Sequence, residues 1–338
     1  MPGPTLGLPD ASWDSELFDR GGHFMQSGAW MAVQQALGDE VVHQRGEGWR
    51  FAAVVHRGRG LRWLYAPYGP ALDDPDRLGP AVAAVREAGR ALEADFVRVE
   101  PDLPGASESS DADALLSELR AVRVRSLQPR HTLVLDLRRS LEELRGDMLS
   151  GRRRSINAAE RRGITVRRTR EVGAADDFIR LIRMTSQRNR FDAHPAGYYR
   201  TVCRVLFERS AASLYLAEVG GESVAGVIAF ESPTTGYYAH AADDPERSRQ
   251  IVAAAPLAWQ IVLDCRAEGR DTFDFWGVIP DDGGEHPWAG FSRFKKTFGG
   301  TLVTRPGTFD LPIRPVRYRL YQAAREARAR RGRRGANG

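Results

Sequence analysis

The sequence predicts an α/β protein of two tandem units, each a mixed, mostly antiparallel sheet flanked by helices. Three observations carry this expectation. A run of helix formers leading into a short β-type stretch occurs twice, as VREAGRALEADFVRVEP and as LDCRAEGRDTFDFWGV. Both runs follow strands joined by hairpin-turn compositions, which is the layout of a repeated α/β unit. The chain has 338 residues and is 42% hydrophobic, room for one large or two ordinary domains with cores of normal size.

In chain order, WRFAAVVH and LRWLYAP read as strands flanking the turn Arg57-Gly58-Arg59-Gly60. A helix is expected over Ala81 to Ala94, then a strand over Phe96 to Val99. HTLVLDL reads as a strand that closes a first domain spanning 1–138. Ser140 followed by Glu143 forms a capping box. The helix it starts places Leu141, Leu144, Met148, Ile156 and Ala159 on one face, with Gly151 a break point and Gly163 the stop. The second domain, 139–304, contains the strands SLYLAEV, SVAGVIAFE and GYYAHAA, separated by Gly220-Gly221 and Pro233-Thr234-Thr235-Gly236. A helix from Ile251 to Glu268 stops at Gly269 and leads into a strand over Thr272 to Trp276. TLVTRPGTFD and PVRYRLYQAAREARAR read as a strand and a terminal helix, so that 305–330 returns to complete the first domain and 331–338 is a flexible basic tail.

Arginine makes up 47 of the 49 basic residues, and the two lysines are neighbours, Lys295 and Lys296, in GFSRFKKTFGG. A compact ammonium does there what a planar guanidinium cannot, or the two lysines simply fall there. The net charge of +5 is concentrated: residues 314–338 hold nine arginines and one glutamate. Residues 138–170 hold eleven arginines against four acids. Each basic stretch reads either as a solvated helix face or as a surface for phosphates: RNA or an anionic membrane for the tail, a ligand in an interdomain cleft for 138–170.

Several enzyme classes are excluded by pattern. The chain contains no GxxxxGK[ST] loop, no GxGxxG after a strand, no GxSxG elbow and no HExxH, and its seven histidines lack metal-ligand spacing. Cys203 and Cys265 lie in apolar helical stretches and read as free buried thiols. With neither a signal-like N-terminus nor an apolar span of membrane length, the expected location is the cytoplasm.

The strand, hairpin and helix order of each half resembles the N-acetyltransferase (GNAT) superfamily. Members bind acyl-CoA on a glycine-rich turn at a helix N-terminus, whereas the corresponding Arg249 to Pro256 contains no glycine, which disfavours a CoA donor. More specifically, the chain resembles the FemX/FemAB group of aminoacyl-tRNA-dependent peptidyltransferases, in its compact form without a coiled-coil arm. The resemblance runs through Gln26-Ser27 with Trp30, Pro67-Tyr68-Gly69-Pro70, Phe96 to Pro101, and the spacing Arg153, Ile156, Ala159, Arg161, Gly163. It continues through Arg188, Tyr198-Tyr199, Asp274-Phe275-Trp276-Gly277, Phe294-Lys295 and Phe298-Gly299-Gly300.

The resemblance implies an aminoacyl-tRNA donor and, as acceptor, the stem-peptide amino group of a peptidoglycan precursor, either lipid II or UDP-MurNAc-pentapeptide. It implies no metal or organic cofactor, and only peripheral membrane contact if the acceptor is lipid-linked. Lys295 would face the developing oxyanion, the alternative being a surface lysine packed on Phe294. Glu100 would take a proton from the attacking amine, or orient it, or be merely a solvated strand-end acid. Gln26, Trp30, Gln34, Tyr68, Gly69, Arg153, His194, Tyr198, Tyr238, Trp276, Arg293 and Phe294 would line the substrate sites, with core packing the alternative for the tyrosines. Gln34 and His194 stand where phosphate-gripping members offer cations, so Arg153 and Arg293 are expected to hold phosphate, or the acceptor differs. Three other readings stay open: a peptidyl-antibiotic acceptor, an acyl-CoA N-acyltransferase, and a non-catalytic RNA-binding protein.

Overall fold

The computed structural model describes residues 3–58, 60–103, 114, 116–189, 191–281, 286 and 288–335. The chain forms two compact units, one of Met1–Trp13, Met25–Gln128 and Arg305–Gly338, the other of Asp14–Phe24 and Pro129–Thr304. The strands in chain order are β1 (Thr5–Leu6), β2 (Glu40–Gly46), β3 (Trp49–Gly58), β4 (Leu61–Ala66), β5 (Ala71–Leu72), β6 (Phe96–Val99) and β7 (Val122–Val124). They continue with β8 (His131–Asp136), β9 (Ile164–Thr169), β10 (Ala212–Val219), β11 (Glu222–Glu231), β12 (Thr235–Asp243), β13 (Thr272–Gly277), β14 (Thr301–Thr304) and β15 (Thr308–Pro312).

Among the described residues the first unit's sheet runs β1-β2-β3-β4-β6-β15-β7, with β5 beside β3, and the second runs β14-β8-β13-β12-β11-β10-β9. The two follow the same path, as expected of tandem GNAT-like units. In the first, the antiparallel meander β2-β3-β4 feeds the Leu78–Ala91 helix, whose Ala81, Val82, Val85 and Ala88 are buried. The chain then returns as β6, parallel to β4, with Trp63 opposite Phe96. In the second, β10-β11-β12 feeds the Ala254–Ala267 helix and returns as β13, parallel to β12, with Tyr237 opposite Asp274. Each crossover helix packs on its sheet through a glycine, Gly89 of the first helix itself and Gly236 of β12. A Cβ on Gly89 would meet Val97 Cγ2 at 2.5 Å, and one on Gly236 would meet Cys265 Sγ at 2.3 Å.

The capping box forms at Ser140, whose side chain accepts from the Glu143 amide while the Glu143 carboxylate accepts from the Ser140 amide. The helix it starts breaks at Met148 rather than at Gly151, giving Leu141–Asp147 and Ser150–Asn157. Arg153 Nη1 stabilises the break by donating to the carbonyls of Arg145, Gly146 and Met148.

Other expectations shift for identifiable reasons. The helix expected from Ile251 is interrupted at Val252, which has φ 53°, and restarts at Ala254. TLVTRPGTFD is two strands in different sheets, because Pro306 removes a donor and Gly307 turns the chain at φ 102°. The strand β8 pairs with β13 and β14, so residues 129–138 fall in the second unit rather than the first. The terminal helix runs Pro315–Gly335, carrying 331–335 on as helix where a flexible tail was expected, as its alanine and arginine content favours. Residues 336–338 lie outside the described residues. Among the described residues, no helix is long and apolar enough to cross a membrane.

Candidate functional site

Both lysines lie on the Ala289–Lys296 helix, which docks on the segment leaving β13. Ser292 and Lys295 share the inner face of this helix, three residues apart. Ser292 Oγ accepts from the Ile279 amide at 3.0 Å, and Lys295 Nζ donates to the Gly277 carbonyl at 2.8 Å. Lys296 Nζ reaches the carbonyls of Pro280 and Asp281 at 3.1 and 3.2 Å. The two ammoniums therefore fasten the chain between 277 and 281 to the helix.

The Gly277 carbonyl is aimed by a local irregularity of β13. Asp274 Oδ1 accepts from the Trp276 amide at 2.6 Å, Trp276 has φ 64°, and the pairing with β8 slips between Asp274 and Gly277. Gly277 has no room for a side chain, since a Cβ would meet Pro129 Cγ at 2.6 Å. Burial pushes the Lys295 ammonium down to about 8, with the Asp274 carboxylate acting in the opposite direction. At neutral pH Lys295 is still mostly charged, a cation in a dry place.

Lys295 lines a cavity of about 360 Å³ in the second unit. Phe294, Phe291 and Gly290 flank it on the same helix; Tyr238, Ala241 and Asp243 face it from β12; Arg188 and Ala254 also line it. Arg188 and Asp243 neutralise each other through two hydrogen bonds, at 2.7 and 3.2 Å. Ala254 opens the helix within the glycine-free stretch, and its N-cap residue Ala253 makes no side-chain cap bond. Tyr238 is buried with its ring against Phe275, at 5.7 Å between centroids, and burial raises its phenol. Arg152 stacks over Phe294 and Phe298, 4.5 and 5.0 Å from the ring centroids.

Tyr198 and His194 belong to a second aromatic group of the same unit. Their rings stack at 4.0 Å, and both approach His240 edge-on. Burial lowers His194, and burial with His194 as neighbour pushes His240 down to about 3, so both imidazoles are neutral at pH 7. Trp276 packs edge-on against His23 and Tyr237, at 5.3 and 5.7 Å.

In the first unit the structure brings Gln26, Tyr68, Gly69 and Glu100 together. Gln26 Nε2 donates to the carbonyls of Ala52 and Pro67 at 3.0 and 2.7 Å, while Oε1 accepts from the Ala52 amide at 2.8 Å. Pro67 has no N–H, and the Gln26 amide supplies the donor that the proline lacks. A Cβ on Gly69 would meet Gln26 Cδ at 2.4 Å, which fixes that position as glycine. Glu100 is buried. Its Oε2 accepts from the Tyr65 hydroxyl at 2.7 Å, and its Oε1 from the Gln128 amide at 3.0 Å and Thr308 Oγ1 at 2.5 Å. Both oxygens are occupied by donors of the protein. Tyr68 is buried under Arg305, 4.8 Å from its ring centroid.

The remaining expected residues lie on helices. Trp30 is buried in the helix capped by Ser27, Gln34 is half-exposed on it, and Arg293 is exposed on the lysine helix. Arg153 is engaged by helix carbonyls. The contributions of Asp243 and Thr308 had no signal in spacing, since each acts through a partner distant in sequence, whereas Asp274 stood in the run Asp274-Phe275-Trp276-Gly277 without its role being legible there. Cys203 and Cys265 are free, buried and pushed up to about 12 by burial. Among the described residues no group of three or more His, Cys, Asp or Glu is placed to hold a metal.

The two tandem units share a GNAT-like fold, and the second carries a buried lysine beside a cavity. The FemAB family model matches residues 18–223 and 220–326, and the chain belongs to the FemAB family. The lipid II:glycine glycyltransferase of Staphylococcus aureus (strain USA300) is 20% identical over 324 residues, an alignment covering 72% of this chain and 75% of that protein. The crystal structure of FemX superposes with a TM-score of 0.78 at 17% identity, covering 94% of this chain and 99% of FemX. A tandem GNAT protein from the clavulanic acid biosynthesis pathway matches with a TM-score of 0.53 at 14% identity, over 92% of this chain and 98% of that one.

Proposed function

We propose that this chain transfers an aminoacyl group from a charged tRNA to the stem-peptide amino group of a peptidoglycan precursor. The observation that carries the reading is Lys295, a buried ammonium with one donor on the Gly277 carbonyl and the others free to meet a ligand in the cavity. The acceptor amine attacks the ester carbonyl of the donor and a C–N bond forms. The ester C–O bond then breaks, and the tRNA leaves as its hydroxyl with the proton that the amine gives up. Lys295 stabilises the oxyanion between these events, a contribution on the scale of ~10²–10³ in rate. Phe294 and Tyr238 shape the apolar part of the cavity.

Glu100 acts by organising the turn through Tyr65 and Tyr68, because its oxygens are already occupied by donors. The name of the staphylococcal relative supports lipid II as the acceptor. A donor made in the cytoplasm places the reaction there.

One observation favours a second acceptor class. His194 is neutral and stacked on Tyr198, so it offers no cation for a pyrophosphate. A peptidyl antibiotic would need none.

Mass spectrometry of lipid II, UDP-MurNAc-pentapeptide and peptide acceptors, after incubation with the protein and charged tRNA with or without RNase, tests the proposal. An RNase-sensitive gain of one aminoacyl mass on a precursor supports it. A gain on the peptide acceptor alone selects the second reading, and a gain that requires acyl-CoA refutes both.

A further inference from the structure

The first unit carries a groove of about 780 Å³ unrelated to the lysine cavity. It runs between the β3–β4 turn, at Gly58 and Gly60, and the terminal helix, at Arg317, Tyr321 and Arg325. Its floor is aromatic. Trp63 and Tyr321 both stack on Phe96, at 5.9 Å and 5° and at 5.2 Å and 23°, leaving both rings half-exposed. Arg317 joins the two sides by pairing with Asp95 and donating to the Gly60 carbonyl. Arg319 and Arg325 have no ion-pair partner among the described residues.

The helix is far more basic than its packing needs. Past the groove the sequence places arginine at 325, 328, 330, 331, 333 and 334, with Glu326 the one acid. At about 100° per residue these positions cover every side of a helix rather than one stripe. A helix that lies on a membrane needs a sustained apolar face opposite its cations. Here the exposed Val316 and Leu320, at 70% and 67%, are followed on their face by Ala323, Ala324, Ala327 and Arg331, so the apolar stripe ends after two residues. Cations on all sides, next to stacking rings at the edge of a groove, suit a polyanion that also presents flat bases.

We infer that the groove and the arginine-rich terminal helix form an RNA-binding surface, which engages the phosphates and a base of the tRNA donor. This rests on the tRNA-dependent reading above.

The test measures uncharged tRNA binding to the full chain by fluorescence anisotropy across a salt series, alongside transfer kinetics. Arg319→Ala/Arg325→Ala is expected to weaken binding and to lower the salt slope by about two, one for each phosphate left without its arginine. Tyr321→Leu is expected to weaken it on the order of tenfold with the slope unchanged. In transfer assays the arginine variant should raise KM for tRNA and leave kcat intact. Unchanged affinity and slope in the arginine variant would overturn the inference, even with transfer intact, and the proposed reaction would then stand without it. If the wild type binds tRNA in this arginine-dependent way but transfers nothing, the inference stands and the proposed reaction falls. Loss of binding to anionic phosphatidylglycerol vesicles, with tRNA affinity unchanged, would overturn it in favour of a membrane-binding role.

Discussion

The ammonium of Lys295 donates to the carbonyl of Gly277 at 2.8 Å, tying the lysine helix to the end of β13 at the one residue there that has no room for a Cβ. The same irregularity of β13, with Asp274 accepting from the Trp276 amide, aims that carbonyl. Lys295 is thus held by backbone whose shape depends on two residues outside the helix.

Rate should depend on Lys295 being charged. Its ionisation is depressed from 10.5 to about 8, so kcat/KM is expected to fall as pH rises through about 8, once the pH dependence of the acceptor amine is separated with a non-titrating acceptor. A rate flat to pH 10 would contradict this. Stability runs the other way. Between about 8 and 10.5 the unfolded chain binds the proton that the folded chain has released, so this group makes unfolding harder as pH rises across that window and the gain is lost as pH falls through about 8.

Asp274→Asn keeps an acceptor for the Trp276 amide but removes the charge that supports the Lys295 ammonium. The alkaline limb of the pH–rate profile should move to lower pH, with the melting temperature nearly unchanged. An unmoved limb would show that Asp274 does not act on Lys295.

Gln26→Ala should cost about 2–4 kcal/mol in urea unfolding, because it strands the Ala52 amide and the carbonyls of Ala52 and Pro67 in a buried place. Gln26→Glu should cost at least as much, since it points a buried charge at two carbonyls. A Gln26→Ala protein of full stability but weakened acceptor binding would make this residue a substrate ligand instead.

Glu100→Gln puts an amide donor where the carboxylate accepts from Tyr65, Thr308 and Gln128. The expected loss is about 1–3 kcal/mol of stability, with kcat per folded molecule changed less than tenfold. A loss of several hundredfold in kcat at unchanged stability would identify Glu100 as the base.

Much of the fold was legible because it is written in local patterns. The twin helix-to-strand runs, the Ser140 capping box and the hairpin turns each act within a few residues, and each appears. What was not legible depends on partners distant in sequence. That His131–Asp136 joins the second sheet is decided by pairing with Thr272–Gly277, and the split of 301–310 by Pro306 and Gly307 between two competing sheets. The site follows the same division. The lysine pair stood out by composition alone, whereas Gln26 and Arg153 carry polar groups that look available in sequence and are spent on backbone in the fold.

The most direct test of the account is Lys295→Met, assayed for aminoacyl transfer at saturating charged tRNA and, in the same preparation, for urea unfolding and tRNA affinity. The account predicts a fall of ~10²–10³ in kcat, with tRNA affinity intact. Stability at pH 7 should change by no more than ~1–2 kcal/mol, because relief of the buried, depressed ammonium is offset by the Gly277 carbonyl left without its donor. A Lys295→Met enzyme that transfers at the wild-type rate would contradict it.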